Sequence, residues 1–148
     1  MPPVEDLFPS LELALKSIVL GSHVSAIVVD VHAEASSEKM AVGHFLDGRV
    51  SLVVGSHTHV PTADGQILPG GTAYQTDAGM CGDYNSIIGM KIDSALNRFT
   101  KKRSKSPLEP ADGEATVCGV FLETDDQTGK ATKFSPIKLG GRLQLSIN

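Results

Sequence analysis

Two short runs of mostly β-branched residues, Ala26-Ile27-Val28-Val29 and Val50-Ser51-Leu52-Val53-Val54, constrain the fold of this chain more than any other feature. Neither shows the strict polar–apolar alternation of a half-exposed strand, so each is expected to be a strand buried on both faces. Between them, Ser36 or Ser37 can cap a helix through about Leu46, with Met40, Ala41, His44 and Phe45 among its packing candidates. Asp47-Gly48 then supplies the left-handed stop that glycine adopts cheaply. Strand, helix and strand with short connections imply a parallel pair joined by a right-handed crossover, hence an α/β fold.

Around this unit the texture varies. Pro9-Ser10 precedes a first helix carrying Leu11, Leu13, Ala14, Leu15, Ile18 and Val19, and Gly21 ends the run. From Val60 to Asn85 the chain is rich in Gly, Pro, Asp and Thr, with extended pieces expected near Gln66–Leu68 and Thr72–Thr76. A modest helix is expected from Asp93 to Phe99, and the charged, proline-bearing segment Lys101–Gly113 reads as an exposed loop. Ala115–Thr124 and Ala131–Ile137 form a hairpin across Asp125–Lys130. There is no internal repeat, and 148 residues suit a single domain.

Three of the five histidines fall at the ends of the two buried strands. His32 lies just beyond the first, and His57 and His59 just beyond the second. Ligands bind at the carboxyl ends of the strands in parallel sheets, and adjacent strands lie only about 4.8 Å apart. The three imidazoles can therefore converge on one volume. Residues two apart in an extended segment share a side, so His57 and His59 can face one metal pair while Thr58 points away. Neutral imidazole is the commonest metal ligand. Gly55 lets the backbone turn sharply and approach whatever is bound. A lone strand-end histidine is more often structural, and the metal reading rests on the combination of all three.

Other candidates have two readings each. Asp30 shares a strand face with His32 and either accepts a proton from its non-ligating nitrogen or is satisfied by backbone donors. Glu34, near the start of the following helix, fits dipole capping ahead of catalysis. Asp77 and Asp83 read as turn-formers, His23 as a loop residue and His44 as a helix residue. The cluster Lys101, Lys102, Arg103 and Lys105 reads as a solvated loop ahead of a phosphate-binding patch. The net charge of −4 argues against binding a large nucleic acid non-specifically. Cys81 and Cys118 have no metal-type spacing and read as a reduced cytoplasmic pair. No basic region leads into an apolar stretch at the N-terminus, and no apolar run approaches the roughly 20 residues that span a bilayer. The expectation is a soluble, cytoplasmic protein with no membrane partner.

Longer segments carry a resemblance. Asp30-Val31-His32-Ala33-Glu34-Ala35-Ser36-Ser37-Glu38-Lys39, Asp47-Gly48-Arg49-Val50, Gly55-Ser56-His57-Thr58-His59-Val60 and Thr62-Ala63-Asp64 are followed in order by Ile67-Leu68-Pro69, Gly71-Thr72-Ala73-Tyr74 and Gly89-Met90. Together, from about Pro2 to Ile137, they resemble the YmdB-type bacterial metallophosphoesterases of the calcineurin-like superfamily. The resemblance implies a sandwich of two β-sheets flanked by helices, and phosphodiesterase activity on 2′,3′-cyclic nucleotides. It also implies two divalent or mixed-valence metal ions (Fe, Mn or Zn) roughly 3.5–4 Å apart that clamp the phosphate. By motif position His32 and His57 look like ligands of one metal and His59 of the other.

Members of that family are about twice as long as this chain. Their N-terminal half brings an Asp at the end of a first strand, a bridging Glu followed by Asn, and an Asn-His pair, none of which is found here. The resemblance therefore makes the chain the C-terminal portion of such a domain, with the catalytic histidine in the other half. On that expectation the chain alone holds at most one metal, and it associates with itself or with an N-terminal complementing half. Two alternatives stand beside this: a non-catalytic metal-binding or scaffold module, and a mononuclear hydrolase using His32, His57 and His59 with an open water position.

Overall fold

The computed structural model describes residues 6–100 and 107–143; the cluster Lys101, Lys102, Arg103 and Lys105 lies outside the described residues. The strand–helix–strand unit forms as expected. Strand β1 (Val28–His32) leads through helix α2 (Ser36–Leu46) to strand β2 (Leu52–Ser56), and the two strands pair in parallel with Val28 opposite Leu52 and His32 opposite Ser56. A preceding helix α1 (Leu7–Leu15) and two later strands, β3 (Gln66–Ile67) and β4 (Ala73–Gln75), complete a four-stranded sheet in the order β1-β2-β4-β3. Strand β4 is parallel to β2, and β3 is antiparallel to β4. A second sheet holds β5 (Gly82–Asp83), β6 (Ala115–Thr124) and β7 (Ala131–Leu139), all antiparallel. Helix α3 (Ile92–Thr100) lies between β5 and β6 in sequence. The fold is thus α/β, with two sheets and flanking helices.

The apolar core lies between the first sheet and α1 with α2. Val31, Val42, Leu46, Val50, Val53, Leu68 and Tyr74 are buried together, with Phe8, Leu11, Leu15 and Phe45 packed against them. Each such aliphatic side chain contributes roughly 1.5–3 kcal/mol by leaving water. Phe8 and Phe45 meet edge to face with centroids 5.0 Å apart, joining the two helices.

Several local expectations are corrected. Strand β1 is not buried on both faces: it is the sheet edge, and Val28, Asp30 and His32 are exposed while Val29 and Val31 turn to the core. Strand β2, central in the sheet, is the one covered on both sides. The buried stripe of α2 is Lys39, Val42, Gly43 and Leu46, one position off the expected set, and Met40, Ala41 and His44 face solvent. Gly43 is needed there because a Cβ would stand 2.5 Å from the Tyr74 ring. Neither Ser36 nor Ser37 caps α2; Ala35 holds the cap position and Ser36 is already helical. Helix α1 begins at Leu7 because Pro9 is tolerated in a first turn, and it ends at Leu15, well before Gly21.

The second sheet is joined to the first by buried polar contacts. Ser51 Oγ accepts from the Ile27 amide at 3.1 Å and donates to the Gly129 carbonyl at 2.6 Å. The Ala131 amide donates to the Gly71 carbonyl at 2.8 Å. Among the described residues no helix is long and apolar enough to cross a membrane.

Candidate functional site

Parallel pairing of β1 with β2 sets His32 beside Ser56 at the carboxyl ends of the two strands. His32, His57 and His59 then line a single cavity of about 210 Å³ together with Ser56, Asp77, Gly79 and Met80. The convergence expected from the strand ends is therefore present. His32 and His57 are in direct contact: their rings cross edge to face with centroids 5.0 Å apart, and His57 Nδ1 lies 3.2 Å from His32 Nε2.

The hydrogen bonds around these rings decide where their protons sit. Ser56 Oγ donates its hydrogen to Asp30 Oδ1 at 3.1 Å, so it can only accept from His32 Nδ1, also at 3.1 Å. His32 therefore carries its proton on Nδ1 and presents the lone pair of Nε2 toward His57. His59 Nδ1 lies 2.9 Å from the Ile88 carbonyl oxygen, which can only accept, so its Nε2 is left with a free lone pair. Lone pairs held this way by a polar partner on the opposite ring nitrogen are what metal ligation requires. Asp30 meets neither expectation: it reaches His32 through Ser56 and not directly. Glu34 is exposed and lies two residues ahead of α2, outside the lining of the cavity.

The backbone here is strained. Among the described residues the only non-glycine positive φ angles belong to His57 (120°), His59 (64°) and Ile88 (48°). For a β-branched residue such as Ile88 this is a genuine outlier, and strain of this kind collects at functional sites. Residues 57–59 are accordingly not extended, and the shared direction expected from two-residue spacing is replaced by individually anchored turns. The His59 carbonyl accepts from Tyr84 Oη at 3.0 Å, and the Met80 amide donates to the same phenolic oxygen at 3.0 Å. Burial, with Cys118 alongside, pushes the Tyr84 phenol well up, so it stays a donor.

Gly55 has a different role from the one expected. It sits within β2, where a Cβ would come within 1.8 Å of the Thr76 carbonyl oxygen and 2.7 Å of Lys39 Cδ. What approaches closely is the chain itself. Asp77, expected to form a turn, is fully buried and accepts from the amides of Thr58 at 2.8 Å and Gly79 at 2.9 Å and from Lys39 Nζ at 3.2 Å. Burial pushes its carboxyl up, but these donors more than offset that and hold it below the ordinary carboxylate value. Asp83 is the turn-former expected, accepting from the amides of Asn85 and Gly113. His23 and His44 are exposed and lie away from the cavity. The thiols of Cys81 and Cys118 are free.

Sequence reasoning missed Ser56, Lys39 and Tyr84. For Lys39 a signal existed: it stands at helical spacing with Val42 and Leu46 on the buried stripe of α2.

A metal ion fits the His32–His57 pair. Two nitrogens bound to one tetrahedral zinc at about 2.0–2.1 Å stand roughly 3.3 Å apart, and the observed separation is 3.2 Å. Among the described residues no three His, Cys, Asp or Glu side chains form a group that could hold a metal ion. The donors present thus fit part of a coordination shell.

The chain is similar to known proteins along most of its length. The family model described as "YmdB-like protein" matches residues 1–137. A 2′,3′-cyclic-nucleotide 2′-phosphodiesterase of Bacillus subtilis (strain 168) is 44% identical over 137 residues, covering 93% of this chain and 51% of the relative. A putative phosphatase/phosphodiesterase of Mycoplasma pneumoniae is 40% identical over 126 residues, covering 84% and 44%. A crystal structure of a hypothetical protein from Thermus thermophilus superposes with a TM-score of 0.83 at 42% identity, over 96% of this chain and 54% of that one. One described as a novel phosphatase from Mycoplasma pneumoniae gives 0.81 at 37% identity, over 91% and 47%. The chain spans about half the length of the curated relatives it matches.

Proposed function

This chain belongs to the YmdB-like protein family, and from that premise we propose that it carries part of the active site of a metal-dependent phosphodiesterase acting on 2′,3′-cyclic nucleotides. The observation that carries the reading is the histidine pair: His32 Nε2 and His57 Nδ1 at 3.2 Å, with the His32 tautomer set through Ser56 and Asp30. His32 and His57 would hold one divalent ion (iron, manganese or zinc), and His59, through its free Nε2, a second. Bound there, the ions supply positive charge that neutralises a phosphodiester and polarises its phosphorus–oxygen bonds. Ser56 and the Ile88 carbonyl hold the Nδ1 atoms of His32 and His59 and leave the opposite ring nitrogen of each for an ion. The ions would also let a chain of net charge −4 accept an anionic substrate.

The remaining ligands, among them a bridging carboxylate, and the histidine that assists phosphate chemistry come from outside these 148 residues on this reading. Support comes from the incomplete donor set among the described residues and from the half-length match to the relatives. The exposed edge of β1, with Val28 60% accessible, offers a place where further strands would add.

The test is complementation. The purified chain is mixed with the first half of the Bacillus subtilis relative, and hydrolysis of 2′,3′-cyclic AMP is followed with added Mn²⁺. Turnover is expected only in the mixture, and it is lost with His57→Ala. Two pieces that associate stably yet turn over no substrate would overturn the catalytic reading and leave a binding module.

A further inference from the structure

Lysine is almost never fully buried unless paired, yet Lys39 has 0% of its surface exposed. It lies on the core-facing stripe of α2, between the apolar residues that pack on the sheet, and its stem runs beneath Gly55. Its Nζ donates to the Ser56 carbonyl at 2.6 Å and to Asp77 Oδ2 at 3.2 Å. The same Asp77 oxygen accepts from the Thr58 amide at 2.8 Å, and Oδ1 accepts from the Gly79 amide at 2.9 Å.

The two backbone groups that flank His57, the carbonyl before it and the amide after it, are thus held by one buried ion pair. Between them His57 adopts φ 120°, a conformation that a side-chain-bearing residue keeps only when its surroundings enforce it. We propose that Lys39 and Asp77 form a clamp that fixes the His57 backbone and so sets its ring against His32, making Lys39 a positioning residue for the histidine pair. This rests on the metal reading of that pair given above.

The energetics agree. A buried ion pair is a poor device for stability alone, since well-packed apolar residues of similar volume often do as well or better; a specifying role accounts for its presence. Lys39 does not meet substrate itself: its ammonium is fully enclosed, and two of its three protons are directed at Ser56 and Asp77. Gly55 belongs to the same device. Any side chain there would displace the Lys39 stem, and the clamp and the histidines would move together.

The test uses the full chain with Lys39→Met, which keeps the stem and removes the charge, and Asp77→Asn, which keeps the shape. Two quantities are read: hydrogen exchange of the Thr58 amide by NMR without metal, and Co²⁺ binding by its visible absorption. In Lys39→Met the expected result is at least a tenfold loss of Thr58 protection, with the amides of the β6–β7 hairpin unchanged. Co²⁺ affinity falls about 10–100-fold, the range for groups that orient a ligand. Asp77→Asn moves both readouts the same way, and decides the matter if Lys39→Met does not fold. A folded variant that keeps native Thr58 protection and Co²⁺ affinity overturns the clamp. If the unmodified chain binds Co²⁺ no better than His57→Ala, the pair holds no metal in this chain alone, and Thr58 exchange by itself supports or overturns the clamp.

Discussion

Replacing Gly55 by alanine tests how tightly the site is built into the sheet. The added methyl would lie 1.8 Å from the Thr76 carbonyl oxygen, where real Cβ atoms essentially never approach below 3.0 Å. The carbonyl must retreat by more than about 1 Å, and it belongs to the backbone just beyond β4, not to a flexible side chain. That movement pulls at the bond from the Ala78 amide to the Gly55 carbonyl, 2.9 Å long, and at the Val54–Gln75 pairing beside it. Overpacking a well-filled interior costs about 1–3 kcal/mol, and a lost backbone hydrogen bond roughly 0.5–1.5 kcal/mol more. A total of about 2–4 kcal/mol corresponds to a fall in Tm of roughly 5–15 °C for a domain of this size. The assay is thermal unfolding by circular dichroism, with Gly119→Ala as the control. A Cβ at Gly119 meets nothing within 4 Å, so that variant should be neutral, or stabilised by up to about 1 kcal/mol through the unfolded chain. If Gly55→Ala unfolds within about 1 kcal/mol of the native chain, the close approach of β2 and the residues after β4 is not what requires glycine.

Three further outcomes are expected. Ser56→Ala removes the link between Asp30 and His32, so Co²⁺ affinity should fall about 10–100-fold with only a small change in Tm; unchanged affinity would count against the relay. Ser51→Ala deprives the Ile27 amide and the Gly129 carbonyl of their partner and should cost about 1–3 kcal/mol in urea unfolding, and an unmoved midpoint would show that the hairpin is held by other contacts. Burial raises the carboxyls of Asp64 and Asp77, yet the hydrogen bonds of Thr62 and Thr76 to the first, and of Thr58 and Gly79 to the second, bring both below their ordinary 3.8. Their stabilising effect is then complete above the unfolded pKa and is lost as pH falls through the folded values. The urea midpoint should drop on acidification below about pH 4, less steeply in Asp64→Asn, and a midpoint that rises there would contradict the sign.

The parallel pair, the helix between its strands and the hairpin were legible because each rests on local pattern. β-Branched runs, the Asp47-Gly48 stop and the turn before Lys130 act over a few residues. The site was legible in part for the same reason: strand ends carry histidines to one place whatever the rest of the chain does. What could not be read depends on partners far apart in sequence. Lys39 meets Asp77, 38 residues away, and Ser56 meets Asp30, 26 residues away. Asp77 sits in a glycine-rich stretch that looks like any turn, and only the packing of α2 over β2 makes it a buried acceptor. The exposed face of β1 has a similar origin. Its residues are apolar enough for burial on both sides, but its place at the sheet edge leaves Val28 uncovered.

The central claim is that the histidines of this chain form part of a metal site completed from elsewhere. Its most direct test is metal per chain, by elemental analysis of protein purified without chelator and equilibrated with Mn²⁺ or Zn²⁺, beside a His57→Ala control. The account predicts one ion per chain or fewer, with whatever binds lost in the variant. Close to two ions per chain, lost in the variant, would show that these 148 residues build the whole site and would contradict it.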